Sequence, residues 1–350
     1  MRVLYFGTYE RDYPRNAQVI ACLRGAGVEV AERHVSVWEG REHKFAGGLG
    51  SALRLASAEV RLAATRPAGS FDALIVGYPG HLDVPAARRA ARGKPVVLNP
   101  LVSLSDTLVE DRGRFRRGSL PARALVRIDR SAFRSADLVV ADTEAHAELF
   151  RSFGARRAEV CLVGAEERVF QPGWTGGGPF LFVGKLIPLH GLETILAAAR
   201  LVPELPVRVV GSGQLEPLLG DRPANVEWVP WVEYERLPTE LHAAAAALGI
   251  FGTSEKAARV IPNKAFQALA CGAPLVTADT PAARELLVDG ESALLVPAGD
   301  PDALAAALRR LATEPELGPR LSAGGNTAYR ERASETVLGA RWRSILESVV

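Results

Sequence analysis

The chain has 350 residues, 48% of them hydrophobic and 23% charged, with a formal net charge of +2 at pH 7. This length favours two domains of roughly 150 to 180 residues, and the small net charge argues against bulk nucleic-acid binding. Three widely spaced cysteines, an N-terminal strand pattern and the lack of any long apolar run favour a reduced, cytoplasmic protein over a secreted or membrane-spanning one.

Short β-branched runs alternate with helical patterns through the first half of the chain. Because the apolar runs are continuous rather than alternating, they predict strands that are covered on both faces and therefore a parallel sheet. Asp83 is the predicted cap of the second helix, and residues 1–170 are expected to form one Rossmann-like domain. The predicted strands are 2–6, 28–35, 73–77, 95–98, 137–141 and 159–163, with helices over 14–25, 84–91 and 144–153.

A glycine-rich segment, 171–178, is the predicted linker. The same alternation restarts after it and predicts a second Rossmann-like domain over 179–333, with Asp300 capping a helix that starts at Pro301. A C-terminal helix, 334–350, is expected to cross back to the first domain. The predicted fold is therefore two doubly wound parallel-sheet domains facing a cleft. Its second set of strands is 180–183, 207–210, 226–229, 247–251, 274–278 and 293–296.

The stretch F-L-F-V-G-K-L-I-P-L-H-G, residues 180–191, combines a strand, a glycine loop and a helix start. Gly184 and Gly191 leave room for a ligand near the backbone, and Lys185 and His190 add basic side chains. A helix N-terminus presents free N–H groups and the positive end of its dipole. This stretch predicts an anion site, and phosphate is the favoured ligand.

Two further turns follow strands of the second domain. Gly211 and Gly213 form a turn that lets a ligand approach the backbone. The segment V-I-P-N-K-A-F-Q begins a helix on which Asn263 lies near the N-terminus, while Lys264 and Gln267 are one turn apart on one face. Both turns are candidates for binding a diphosphate.

These segments, together with R-E-L-L-V-D-G-E-S-A-L-L-V-P-A-G-D-P, resemble the donor-binding half of a GT-B glycosyltransferase of family 4 over about residues 179–312. The first half resembles the family mainly in architecture. The resemblance implies a nucleotide-diphosphate-sugar donor whose phosphates lie at Gly184, Lys185 and His190. Most family members carry an arginine and a lysine in this loop, and His190 is expected to be cationic when the diphosphate is bound.

The family also carries two glutamates where this chain has Arg259 and Gln267. The resemblance implies that Gln267 hydrogen bonds the ribose through its amide and that Arg259 contacts phosphate with Lys264. In the first domain it implies that Gly7 lies under the diphosphate. It also implies catalytic roles for Lys185 and for His81, whose backbone carbonyl would lie near the anomeric carbon.

The sequence shows no metal-ligand cluster and no D-x-D pair that would carry Mg²⁺ for a diphosphate leaving group, so metal-independent transfer is expected. The resemblance implies retention at the anomeric carbon, and no protein nucleophile is evident. No cofactor is expected. Two alternatives stay open: a non-catalytic nucleotide-sugar-binding scaffold, which the loss of both glutamates would fit, and a GT-B-fold nucleotide-sugar epimerase or hydrolase.

The acceptor is not identified by the sequence; Asp106 and residues 110–112 are candidate contacts. The run from Arg112 to Arg134 holds eight arginines and one aspartate. Such a run is typical of a solvated face, but it would also fit an anionic lipid surface or a phosphorylated acceptor and thus peripheral contact with the inner membrane face. Residues 52–64 are expected to form a covering helix. Trp228 and Trp231 are expected to pack in the core or to border the nucleobase.

Overall fold

A computed structural model describes residues 1–11, 13–37, 49–64 and 69–350, the side chains of 49–53 excepted. The chain divides into two compact units. The first contains Met1–Val109, Gly113–Leu162 and Glu335–Val350, and the second contains Glu110–Arg112 and Val163–Ser334.

The first unit is built on a six-stranded parallel sheet in the order β2-β1-β3-β4-β5-β6. All six strands predicted for the first half are confirmed, and β3, β4 and β5 are buried along their whole length, which explains their continuous apolar sequence. The strands are β1 (Arg2–Gly7), β2 (Glu29–His34), β3 (Ala73–Val76), β4 (Val96–Leu98), β5 (Leu138–Ala141) and β6 (Ala158–Val160).

Before Val163, the described part of this unit contains the helices α1 (Pro14–Gly25), α2 (Leu49–Ala64), α3 (Val84–Ala91), α4 (Leu120–Ser135) and α5 (Glu144–Ser152). Ser119 and Thr143 cap α4 and α5 through their side-chain oxygens. The predicted capping role of Asp83 is wrong. This residue has helical backbone angles and makes no capping bond to α3, because its carboxylate accepts hydrogen bonds from Thr8 at the end of β1 instead.

The second unit has its own six-stranded parallel sheet, in the order β12-β11-β10-β7-β8-β9. All its predicted strands are confirmed: β7 (Phe180–Val183), β8 (Val207–Val210), β9 (Val226–Val229), β10 (Ala246–Leu248), β11 (Leu275–Ala278) and β12 (Leu294–Val296). The helices are α6 (Leu192–Leu201), α7 (Leu237–Ala243), α8 (Glu255–Arg259), α9 (Asn263–Ala270), α10 (Pro281–Arg284), α11 (Pro301–Thr313) and α12 (Leu317–Arg332). Asp300 caps α11 as predicted, accepting from the N–H of Ala303 at 2.9 Å.

The glycine-rich segment 171–178 lies within the second unit, whereas the chain passes from one unit to the other between Leu162 and Val163. The main chain of Gly173 donates to Cys271, and the indole of Trp174 donates to the carbonyl of Ala244 at 2.8 Å. These bonds attach the segment to the body of the second unit.

The last helix, α13 (Glu335–Glu347), belongs to the first unit. It packs on α1 so closely that a side chain at Gly339 would lie 2.6 Å from the carbonyl oxygen of Cys22. Its apolar face, which includes Trp342, is buried. Helix α2 packs against α3 as the predicted covering helix. Among the residues that the structure describes, no helix has both the length and the apolar character needed to cross a bilayer.

Candidate functional site

The loop after β7 lies where the strand order of the second sheet reverses. β7 pairs with β8 on one side and with β10 on the other, so successive connections leave in opposite directions. Open α/β sheets bind ligands in the crevice outside the carboxyl ends of their strands at such a point. The predicted anion loop, from Gly184 to Gly191, starts at this position.

Glycines allow the backbones of three loops to touch in this region. Gly184, Gly211 and Gly213 have φ near +146°, and Gly191 has φ of +67°. A side chain on Gly211 would overlap the carbonyl oxygen of Gly184, and one on Gly191 would lie 2.5 Å from the carbonyl carbon of Phe251. The loops after β7, β8 and β10 therefore form one close-packed backbone surface, in which a larger residue would not fit.

Helix α6 begins directly after this loop. Gly191 occupies its N-cap position, and no side chain caps its first turn. The N-terminal N–H groups of a helix and its dipole favour a negative charge. The loop and the start of α6 thus offer the backbone part of an anion site.

Lys264, on α9, supplies a cation to the same place. Its ammonium nitrogen lies 3.5 Å from the ring centroid of Phe182, and a side chain on Gly184 would lie 2.9 Å from it. The nitrogen is buried and has no hydrogen-bond partner in the described part of the chain. Burial holds the pKa of Lys264 well below its usual 10.5. A buried, unpartnered ammonium is costly, and an anion bound beside Gly184 would offset that cost.

His190 is buried beside Lys264. Its ring packs edge-on against Phe182, and its Nδ1 donates to the carbonyl oxygen of Lys185. Burial lowers the pKa of His190 well below 6.5, and the charge of Lys264 lowers it further. The imidazole is therefore neutral near pH 7 in the free protein, and the cationic form expected with bound diphosphate would require a proton to be taken up.

The other predicted donor residues differ in their surroundings. The side chain of Lys185 is exposed, while Asn263 is the first residue of α9 and is half-buried. Arg259 forms an ion pair with Glu255 one turn earlier on α8, so its guanidinium is already engaged. The sequence pattern did not reveal that Glu255 competes with phosphate for the guanidinium of Arg259.

Gln267 interacts with Tyr234, a residue that the sequence analysis did not select. Burial and the neighbouring carboxylate of Glu166 raise the pKa of Tyr234, while a hydrogen bond with Gln267 lowers it. The amide of Gln267 therefore belongs to a polar cluster with Tyr234 and Glu166. No local motif signals this cluster, because its members come from three separate segments.

Lys256 is a second buried cation that was missed. It forms an ion pair with Asp111 at 3.8 Å within the second unit. Burial raises the pKa of Asp111, and Lys256 opposes that shift. Of the predicted acceptor contacts, Asp106 is also buried, in the π-helical turn Asp106–Asp111.

The two tryptophans differ in exposure. Trp228 is half-buried, and its indole donates to the carbonyl oxygen of Gly211 at 2.9 Å, which supports the turn after β8. Trp231 is 71% exposed just beyond the end of β9.

At the end of β1 in the first unit, Gly7 and Thr8 face a carboxylate. Asp83 accepts from the N–H of Thr8 at 2.6 Å and from its hydroxyl at 3.0 Å. A side chain on Gly7 would overlap this carboxylate. Glu59 on α2 also hydrogen bonds with Asp83, and burial together with that contact raises the pKa of Glu59 to about 10. The N–H of Thr8 is thus occupied by a protein carboxylate.

His81 is also buried in the first unit. Its Nδ1 donates to the carbonyl oxygen of Pro79, its Nε2 lies 3.5 Å from a carboxylate oxygen of Asp129, and its ring packs on Phe133. Burial lowers the pKa of His81, while Asp129 opposes the shift. Asp129 in turn holds the loop after β4 through four hydrogen bonds, from Ser103, Leu104 and Ser105. The buried imidazole leaves the main chain as the part of His81 suited to a substrate contact.

Within residues 1–11, 13–37, 49–64 and 69–350, no three His, Cys, Asp or Glu side chains are grouped so that they could hold a metal ion.

Comparison with known proteins identifies the family. The model described as "Glycosyl transferase 4-like domain" matches residues 2–165, and the model "Glycosyl transferases group 1" matches residues 178–314. A D-inositol 3-phosphate glycosyltransferase from Nocardioides sp. is 30% identical over 342 residues, which cover 85% of this chain and 71% of that relative. The chain belongs to the family 4 glycosyltransferases. It spans about half the length of other curated relatives that it matches. One of these is the phosphatidyl-myo-inositol mannosyltransferase of Mycobacterium leprae, 31% identical over 49% of this chain and 47% of the relative.

Solved structures of similar proteins show the fold of this chain. Sucrose-phosphate synthase from Thermosynechococcus elongatus matches with a TM-score of 0.75 at 16% identity, over 99% of this chain and 98% of that chain. Anabaena Alr3699/HepE in complex with UDP-glucose matches with a TM-score of 0.69 at 16% identity, over 99% and 100%. The two Rossmann-like units therefore have the GT-B fold, as predicted.

Proposed function

We propose that this protein moves a sugar from a nucleotide-diphosphate sugar to an acceptor, without a metal ion and with retention at the anomeric carbon. The observation that carries the proposal is the buried, unpartnered ammonium of Lys264 beside Gly184, at the strand-order reversal of the second sheet. A buried cation at this position supports the proposal that a diphosphate binds beside Gly184. The ligand named for the HepE structure, UDP-glucose, is a nucleotide-diphosphate sugar.

Diphosphate binding would use both backbone and cations. The loops containing Gly184, Gly191, Gly211 and Gly213 would bring N–H groups to the phosphate oxygens. Lys264 would provide a buried charge, while the exposed Lys185 would reach the anion from solvent. As the bond between the anomeric carbon and the diphosphate breaks, negative charge grows on the leaving oxygen. Cations held in a water-poor site stabilise that charge strongly.

His190 would add a third positive charge only after taking up a proton. Its Nδ1 already donates to Lys185, so Nε2 is the nitrogen free to receive a proton and donate to a phosphate oxygen. These three cations are our reason to propose that a divalent metal is not needed. Donor cleavage should therefore survive EDTA, and a strict Mg²⁺ or Mn²⁺ requirement would contradict the proposal.

The remaining predicted residues have supporting roles in this proposal. Gln267, oriented by Tyr234, would hydrogen bond the ribose through its neutral amide. Arg259 and Asn263 would line the donor site, with Arg259 able to contact phosphate only by leaving Glu255. Gly7 and the main-chain carbonyl of His81 would face the transferring sugar. Retention would follow if the acceptor enters on the face that the diphosphate leaves, with the departing diphosphate stabilising the oxocarbenium-like sugar.

An anionic or lipid-linked acceptor is the class we propose. The names of two relatives, a D-inositol 3-phosphate glycosyltransferase and a phosphatidyl-myo-inositol mannosyltransferase, identify acceptors of this chemistry for those proteins. We place the reaction in the cytoplasm, in keeping with three buried free thiols.

A panel of UDP-, GDP- and dTDP-sugars tests the function. The protein would be incubated with each donor, with and without inositol phosphates or lipid extracts, while release of the nucleoside diphosphate is measured. Release that depends on acceptor is expected. Release without acceptor would indicate a hydrolase, conversion of the sugar without release an epimerase, and thermal stabilisation without turnover a binding scaffold. Each of these three outcomes would overturn the proposed transfer.

A further inference from the structure

Helix α4 carries a stripe of four arginines, Arg123, Arg127, Arg130 and Arg134, which we call the arginine stripe. All four are exposed. At 3.6 residues per turn their spacing places them within an arc of about 60° and along about 16 Å of the helix axis. Four of the eight arginines in the run from Arg112 to Arg134 thus form one narrow row of positive charge along α4.

The arginine stripe has no acidic partner among the described residues, because no ion pair or hydrogen bond joins any of its four guanidinium groups to a carboxylate. The one acid of the helix, Asp129, is fully buried and holds the loop after β4. Four exposed arginines elsewhere in the protein differ in this respect. The four arginines Arg309, Arg310, Arg341 and Arg343 each pair with a glutamate at 2.8 to 3.4 Å.

An apolar side chain stands beside the arginine stripe. Leu120, the first residue of α4, is 79% exposed and lies at the edge of the same face. Arg116, in the turn before the helix, is exposed as well. A leucine next to unpaired arginines is typical of a helix that lies in a membrane interface, where the apolar group enters the headgroup region and guanidinium groups bind lipid phosphates.

We propose that the arginine stripe and Leu120 form a docking surface for an anionic lipid bilayer. Four like charges in one row repel each other in water, and a plane of lipid phosphate groups offers each of them an anionic partner. Near an anionic surface each arginine contributes favourably, and the contributions add. The exposed leucine favours a bilayer over a nucleic acid, as does the small net charge of the whole chain. This surface includes none of the proposed donor residues, and the proposal does not depend on the proposed transfer.

Vesicle sedimentation with the full chain tests the proposal. Vesicles of equimolar phosphatidylglycerol and phosphatidylcholine are compared with vesicles of phosphatidylcholine alone, at low and high salt. We expect binding only to the anionic vesicles, weakening as salt rises. Replacing all four stripe arginines by glutamine should lower the partition coefficient by about 100-fold or more.

Two matched variants distinguish the effect of this surface from the effects of total charge and of misfolding. Glutamine at Arg309, Arg310, Arg341 and Arg343 removes the same charge and should leave vesicle binding within about threefold of the wild type. Lysine at the four stripe positions keeps the charge and should retain most binding, which shows that α4 tolerates substitution. Failure to bind anionic vesicles, equal loss in the paired-arginine variant, or binding to a short RNA but not to vesicles would overturn the proposal.

Discussion

Replacement of Lys264 by methionine separates two roles that a buried cation can have. Methionine fills nearly the same volume against Phe182 but carries no charge. In the free protein the ammonium is buried without a hydrogen-bond partner, so removing it should stabilise the fold by about 1–3 kcal/mol. In the donor complex the same substitution removes a charge-assisted hydrogen bond of about 1.5–3 kcal/mol, or about 10- to 150-fold in Kd.

The pH dependence of stability has a definite sign. The pKa of Lys264 is lower in the folded state than its unfolded value of 10.5. Between the two values the unfolded chain holds one more proton than the folded one, so the free energy of unfolding rises with pH up to about 10.5. Lys264→Met should remove this rise.

Urea unfolding at pH 7 and pH 9.5, with calorimetric titration of a nucleotide-diphosphate sugar, measures both effects. The matched control is Lys256→Met, which should destabilise the protein because it removes one of the two cations, Lys256 and Arg112, that face the buried carboxylate of Asp111. If Lys264→Met instead destabilised the free protein and bound the donor with unchanged affinity, the ammonium would be structural and our reasoning would be refuted.

Three other substitutions probe the same units. Gly211→Ala should lower the free energy of unfolding, measured by urea unfolding, by about 2–4 kcal/mol, because φ is +145° and the new methyl group would overlap a backbone oxygen. The control Gly220→Ala places its methyl group in open space and should change the free energy of unfolding by less than about 0.5 kcal/mol. Glu59 has a pKa raised from 4.5 to about 10, so the folded state holds the extra proton and loses stability as pH rises through that range. Because water partly screens this half-buried side chain, we expect Glu59→Gln to raise the free energy of unfolding by only about 1–2 kcal/mol at pH 8 and not at all at pH 4, as measured by thermal melts. The control Glu148→Gln changes an exposed side chain and should leave the free energy of unfolding unchanged at both pH values. Donor affinity should fall as pH rises from 6 to 8, because binding requires His190 to take up a proton and the pKa of His190 is depressed in the free protein. Calorimetry of His190→Gln should give an affinity that does not change with pH. An affinity of the wild-type protein that does not change with pH would contradict this prediction.

The sheets could be predicted from the sequence because their signal is local. A strand covered on both faces is expected to be apolar along its length, and the runs at β3 and β5 show this directly. The glycines at Gly184 and Gly211 mark loops for an equally local reason, namely backbone angles that other residues rarely adopt. Asp83 shows the limit of local rules. An aspartate before a helix normally caps it, but here the carboxylate of Asp83 accepts a hydrogen bond from Thr8, which is far away in the sequence.

The electrostatics of the candidate site could not be predicted in the same way. Lys264 was chosen for its position on a helix, yet its burial against Phe182 depends on how α9 packs on β7. Lys256 and its partner Asp111 are far apart in the chain, so no spacing rule connects them. The depressed pKa values of Lys264 and His190 follow from burial, which only the folded arrangement reveals.

The membership of α13 in the first unit makes the second unit an insertion of roughly 170 residues between Leu162 and Glu335. During synthesis the ribosome therefore delivers α1 early and its partner helix α13 much later, after a delay of about 15–60 s at normal elongation rates. Throughout that interval the surface of α1 around Cys22 lacks the helix that covers it. The last strand of the second unit, β12, is made before α13, so the second sheet can form while α1 is still uncovered. The order of events on the ribosome is thus reversed relative to the sequence: the middle of the chain can reach its native state before the beginning does.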